Sequence, residues 1–201
     1  LNALTLGMLD SIMEAVTRFD QDDSVGCVVL TGTGRAFSAG GDVKSMAEGS
    51  EAKQGFDARA RSLRRRMEVS RMIHEAAKPW VASVRGPCAG ASLSLALACD
   101  MRVVSETARF ITAFAKVGLS GDFGGSFFLS GLVGTGRARE LYFTGGEIKA
   151  DEAFHLGVAN RLVADDALDT EAAAFAANIA AGPRLTIQYM KKNMNVAERG
   201  D

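Results

Sequence analysis

Twice along this sequence a short β-branched run passes straight into a turn of small residues and then into a helical pattern, and no other feature constrains the fold as tightly. The first run is Val25 to Thr31, with Gly32, Gly34, Gly40 and Gly41 after it; the second is Trp80 to Val84, with the turn Gly86 to Ala91 and the helix Ser92 to Ala98 after it. Apolar runs of this length, bounded by glycine, predict strands buried on both faces, as in a parallel sheet. Strands that alternate with helices predict an α/β fold. The turns are also where chemistry is expected. Glycine and alanine let a ligand approach the backbone closely, and N–H groups at the mouth of a helix attract negative charge.

The rest of the chain fits the same plan. Leu4, Met8, Leu9, Ile12, Met13, Val16 and Phe19 recur at helical spacing and predict a helix over roughly the first nineteen residues. Glu48 to Asp57 is polar and reads as a mobile stretch. A charged helix is expected from Ala58 to Ala77, ended by Pro79. Further strands are expected at Met101 to Ser105 and Arg109 to Ile111, and further helices at Arg137 to Phe143, Ala150 to Leu156, Ala167 to Ala181 and Pro183 to Asn195. A chain of 201 residues suits one main core. That core is placed at residues 1–182, with 183–201 beginning a C-terminal helical region.

Composition narrows the function. A formal charge of −1 leaves no whole-chain field to gather nucleic acid or an anionic membrane. No apolar run reaches the roughly eighteen residues of a membrane span, and the opening LNALTLGMLDSIMEAV lacks a basic leader region, so a cytoplasmic protein is expected. Arg59, Arg61, Arg64, Arg65, Arg66 and Arg71 could meet phosphates, but a solvated helix face is the preferred reading. Cys27, Cys88 and Cys99 sit in apolar contexts without metal spacing and read as buried free thiols. The two histidines, His74 and His155, lack a neighbouring second ligand, so no metal is expected and both read as partly buried side chains. Neither G-x-G-x-x-G with a partner acid nor a P-loop occurs, which argues against a bound nucleotide cofactor. Trp80, Phe127, Phe128, Tyr142 and Phe143 are assigned to core and subunit contacts, since they lack the basic interleaving of a nucleic-acid groove.

The specific signal is the pairing of the two turns. GTGRAFSAGGDVKSM, Gly32 to Met46, follows the first strand, and GPCAGASLSLALACD, Gly86 to Asp100, follows the second. Asp42 is placed to cap a helix after the first turn, and Gly90 and Ala91 stand at the mouth of the helix after the second. Two converging N–H donors make an oxyanion hole. The pair resembles the crotonase (enoyl-CoA hydratase/isomerase) superfamily. Resemblance continues through FITAFAKVGLSGDFGGSFFLSGLVGTGRARELYFTGGEIKADEAFHLGVANRLV, Phe110 to Val163, and so covers nearly the whole chain.

The resemblance implies a right-handed spiral of ββα units. It further implies that the first strands are missing and that the C-terminal helical region, which closes the site and builds homotrimers or hexamers, is only partly present. The substrate it implies is an acyl-CoA, with coenzyme A entering as part of that substrate and no separate cofactor. By matching positions, the thioester carbonyl would lie between the N–H groups of Gly41 and Ala91. The CoA path maps to Arg35, Ala39, Gly40, Asp42 and Val43, with Gly90, Ser94, Phe114 and Gly121 around the acyl end.

The same resemblance bears on the reaction. A hydratase of this family resembles a two-glutamate machine that positions and deprotonates water. The matching positions here are Ser94 and Phe114, and a phenyl ring can neither accept nor deliver a proton. Asp122, in VGLSGDFGG, stands where several isomerases and a dehalogenase of the superfamily carry their working aspartate. Together Ser94, Phe114 and Asp122 are similar to the set in the isomerase of phenylacetyl-CoA breakdown. Asp122 is therefore expected as the acid/base of a double-bond isomerisation or an atypical hydration. Thioester hydrolysis, with Asp122 activating water or attacking directly, and a silent CoA-binding scaffold stay as alternatives. So does Asp122 as a plain cap for a helix opening near Gly124.

Overall fold

The computed structural model describes residues 1–42 and 55–200. Val43 and most of the polar stretch expected to be mobile lie outside the described residues. In chain order the elements begin with helix α1 (Leu6–Gln21), strand β1 (Val28–Thr31), helix α2 (Phe56–Glu75), strands β2 (Trp80–Val84) and β3 (Pro87–Ala89), and helix α3 (Ala91–Ala98). Strands β4 (Met101–Ser105) and β5 (Arg109–Ile111), a 3-10 turn (Phe114–Val117), helix α4 (Gly125–Thr144), strand β6 (Glu147–Lys149) and helix α5 (Ala150–His155) follow. Strand β7 (Arg161–Val163), a second 3-10 turn (Asp165–Ala167) and helices α6 (Leu168–Ala180) and α7 (Arg184–Arg199) complete the order.

The longer strands form one parallel sheet in the order β1-β2-β4-β7, and the shorter ones a second sheet in the order β3-β5-β6. Register runs in step, with Val28 opposite Trp80 and Val81 opposite Met101. In the second sheet β3 pairs parallel with β5, and β5 antiparallel with β6. Each full unit thus places one strand in each sheet before its helix, as β2-β3-α3 and β4-β5-α4. In the first unit an isolated bridge from Ser38 to Cys88 stands in for the second strand. This is the ββα spiral that the resemblance implies.

Burial explains the sequence pattern. All five residues of β2 and all eight of α3 are buried, which suits strands without polar alternation and a helix without a polar face. Val69, Ile73, Trp80, Leu93, Leu95, Phe110, Leu129 and Ile148 anchor the core. Helix α7 reverses the rule: its buried residues are Lys191 and Asn195, while Leu185, Tyr189 and Met194 are 66%, 62% and 67% exposed. No described helix is long and apolar enough to cross a membrane.

Several sequence expectations need correction. The first strand starts at Val28 rather than Val25. Helix α4 reaches back to Gly125, far ahead of Arg137. Strands β3, β6 and β7 stand where no strand was expected. His155 is exposed rather than partly buried; of the aromatics expected in core and subunit contacts, Phe127 and Phe143 are exposed on the single chain. Cys88 and Cys99 are buried free thiols, with Cys27 half-buried. The arginine face of α2 is largely solvated, as expected, with Arg71 bonded to Glu68 and Glu75 at 2.6 and 2.7 Å.

Candidate active site

The two turns meet in space. Ser38 N–H donates to the Pro87 carbonyl and Ala89 N–H to the Ser38 carbonyl, each at 3.1 Å, so the first turn lies on the second as a strand would. Ser92, fully buried, bolts them: its hydroxyl lies 2.8 Å from the Ser38 carbonyl and accepts the Ala89 N–H at 2.9 Å. Contact is also close at Gly40, where a Cβ would fall 2.5 Å from the Ala89 oxygen and 3.9 Å from the Ala91 nitrogen. With φ at +93°, Gly40 also occupies a conformation that side-chain-bearing residues avoid.

This geometry leaves two donors free. Among the described residues, neither the Gly41 nor the Ala91 N–H has an acceptor. Gly41 follows the tight Gly40 turn, whose carbonyl is tied to Leu4 N–H at 2.8 Å. Ala91 opens α3, where the helix dipole adds partial positive charge. Gly90, at φ +54°, turns the chain into that helix while donating its own N–H to Ile111. At the other end of α3 the Arg102 guanidinium, buried, donates to the Cys99 carbonyl at 2.8 Å and to the Ala96 and Leu97 carbonyls. A cation at the C-terminus satisfies the last carbonyls of the helix whose N-terminus carries the candidate anion site.

The acyl end is built around Asp122. One turn into α3, the Ser94 hydroxyl donates to the Asp122 carbonyl at 3.0 Å. Asp122 Oδ1 is buried and, among the described residues, has no hydrogen-bond partner. Burial pushes this carboxyl up to about 6 from its usual 3.8. It caps no helix: the N-cap of α4 is Gly124, without a side-chain bond. Phe114 is buried beside Gly90, 3.8 Å from where a Cβ would stand, and its ring stacks on Tyr142 at 6.0 Å and 10°. Gly121 lies between those two rings, its missing Cβ 2.9 Å from Tyr142 and 3.6 Å from Phe114. Beyond Asp122, Met67, Ser70, Phe123, Phe127 and Phe128 line part of a groove of about 410 Å³ between α2 and the start of α4.

Of the residues singled out in the sequence, Gly40, Gly41, Gly90 and Ala91 form one wall and Ser94, Phe114, Gly121 and Asp122 another, joined through α3. Ala39 and Arg35 are exposed at the first turn, and Asp42 ends its described part. The helix that Asp42 was expected to cap lies outside the described residues. Tyr142, expected among core and subunit contacts, does pack against the core, and its ring also lies against Gly121 and Phe114. Among the described residues no group of three or more metal-ligating side chains gathers anywhere.

Comparison with known proteins agrees with this fold. A family model described as enoyl-CoA hydratase/isomerase matches residues 1–200. The 4-chlorobenzoyl coenzyme A dehalogenase-2 of an Arthrobacter species is 36% identical over 194 residues, covering 96% of this chain and 69% of the relative. The crotonyl-CoA hydratase of Syntrophomonas wolfei is 33% identical over 204 residues, covering 100% of this chain and 76% of the relative. Among solved structures, an enoyl-CoA hydratase from Polaromonas superimposes with a TM-score of 0.91 at 30% identity, covering 97% of this chain and 75% of that one. With the match spanning both turns and the fold superimposing around them, the chain belongs to the enoyl-CoA hydratase/isomerase family.

Proposed function

We propose that this chain isomerises the double bond of an enoyl-CoA, holding the thioester oxygen between the Gly41 and Ala91 N–H groups and moving the proton with Asp122. The observation that carries the reading is the half-buried Asp122 carboxyl, one oxygen buried and its pKa raised to about 6, with Phe114 where the resemblance puts a hydratase's second glutamate. In a 3-enoyl-CoA the Asp122 carboxylate takes the α-proton. The electron pair moves to the thioester oxygen, where two N–H donors stabilise it, and the same carboxyl returns the proton to the γ-carbon. A pKa near 6 suits both halves of that exchange at neutral pH. The phenylalanines along the groove favour a ring-bearing acyl group of the kind handled in phenylacetyl-CoA breakdown.

The test is product analysis. Mixed 2-enoyl- and 3-enoyl-CoA substrates, followed by NMR in deuterated buffer, should interconvert with deuterium entering the α- and γ-carbons. Formation of 3-hydroxyacyl-CoA alone would point to hydration instead. A second reading, favoured by the identity to the chlorobenzoyl-CoA dehalogenase, has Asp122 add to a chlorine-bearing ring carbon of an aroyl-CoA, the C–Cl bond breaking to expel chloride and water then hydrolysing the aryl ester to free the carboxylate. Chloride release from 4-chlorobenzoyl-CoA would select it. Homotrimers or hexamers belong to the same proposal, supported by the apolar outer face of α7, and light scattering that finds a lone monomer would remove that part.

A further inference from the structure

Asp122 sits on a turn rather than on a helix or strand, so whatever holds the turn decides where a proton can be handled. Ser94 holds it from one side, donating its hydrogen to the Asp122 carbonyl at 3.0 Å. Tyr142, on the return of α4, closes it from the other. A Cβ at Gly125 would fall 2.3 Å from Ser94 Oγ and 2.5 Å from the Tyr142 hydroxyl, so both hydroxyls converge on the space that this glycine leaves open. The Tyr142 ring, stacked on Phe114, also lies against Gly121. One aromatic side chain thus touches both ends of the segment that carries the carboxylate.

We propose that Tyr142 is a positioning residue for the candidate acid/base, its hydroxyl tied to Ser94 and its ring set against Gly121 so that the turn 121–125 presents Asp122 to the site. Ser94 gives its hydrogen to the Asp122 carbonyl, and the Tyr142 hydroxyl meets it over Gly125. That role needs a phenol that keeps its proton. Burial and, after it, the Asp122 carboxylate push Tyr142 up to about 12 against the opposing Ser94 hydrogen bond, so it stays protonated across the neutral range. Ser94 from α3 bonds the Asp122 carbonyl, Tyr142 from α4 lies near enough to feel the Asp122 charge, and burial alone raises the carboxyl. For turnover the inference rests on the acid/base reading of Asp122; for the carboxyl itself it does not.

Tyr142→Phe keeps the ring and removes the hydroxyl. In the free protein, carbon-13 NMR should show the Asp122 carboxyl titrating about half a unit or more lower, because a loosened turn admits water and relieves the burial that raises it. Turnover of a 3-enoyl-CoA should fall about tenfold with KM changed less than about twofold, since positioning acts on the transition state. Ser94→Ala should shift the carboxyl the same way, and the double variant should add little, as coupled residues do. An unmoved Asp122 midpoint in both single variants, or losses that add independently, overturns the proposal. A moved midpoint in a protein whose wild type isomerises nothing overturns the proposed reaction and leaves the positioning role standing.

Discussion

An oxygen of a carboxylate buried without a partner is an expensive arrangement, and Asp122 pairs that isolation with a raised pKa. The folded chain holds the Asp122 proton up to about pH 6, whereas the unfolded chain releases it near 3.8. Between those values the folded state binds more protons, so this residue's contribution to stability is present at low pH and is lost as pH rises through about 6. Asp122→Asn, which carries no charge, should therefore be more stable than wild type in urea titrations at pH 7.5 and equal to it at pH 3.5 or below. Equal stability at both would mean the carboxyl is not strained. Turnover of the same variant should fall by about 10²–10⁴ with acyl-CoA affinity nearly unchanged, because only the proton transfer is lost. In the wild type, kcat should rise with pH along a limb centred near 6, and a limb near 4 would detach the base from Asp122. The residue itself was legible through the company of Ser94 and Phe114. Its environment was not, because Tyr142 reaches it only after α4 has run out and back, and a half-buried aromatic on a helix carries no mark of which loop it faces.

Among the elements, the strand–turn–helix pair was readable because its parts are local: an unbroken apolar run, then glycines, then a helix buried all round. Of the four described three-residue strands only β5 was, since so short a run has little alternation to detect and becomes a strand only through its partners. Helix α4 was cut short in the sequence reading for a different reason. Gly125, Gly131, Gly134 and Gly136 each weaken a helix, and Gly134 does kink it, at φ 76° and ψ 158°. Packing against α3 overrides their propensity elsewhere along α4. The joint between the turns makes a sharper claim. Gly40→Ala places a methyl 2.5 Å from the Ala89 oxygen and forces an alanine into φ +93°, so the turns must part and the Gly41 and Ala91 donors with them. Loss of one such donor costs ~10²–10³ in rate, and we expect at least that fall in kcat/KM. Crystals of the variant with the turns undisturbed, or an unchanged kcat/KM, would break the link between their contact and the oxyanion hole.

At the scale of the whole molecule, α7 is fastened by charge rather than by apolar packing. Lys191, with a side chain 6% exposed, directs its ammonium at three acceptors: Asp100 Oδ2 at 2.8 Å and the Ile73 and Lys78 carbonyls at 3.1 Å. All three of its hydrogens are thereby used. Asp100 Oδ2 in turn accepts Trp80 N–H at 2.7 Å, and Asn195 donates to the His74 carbonyl at 2.8 Å. One cation therefore ties α7 to the end of α2, the start of β2 and the segment after α3. The sequence announced a helix here, and within the single chain its apolar residues Leu185, Tyr189 and Met194 lie outside. Lys191→Met should expose the cost of the latch. The substitution matches the aliphatic stem but leaves Asp100 and two carbonyls unanswered, and removing one partner of a buried pair costs about 3–5 kcal/mol. Asp100→Asn added to it should recover part of that loss, since asparagine can still accept the Trp80 N–H without a stranded charge. Urea titrations of the two single variants and the double variant at pH 7.5 measure the coupling directly. Strict additivity of the two losses would show that α7 is held by its shape and not by this charge.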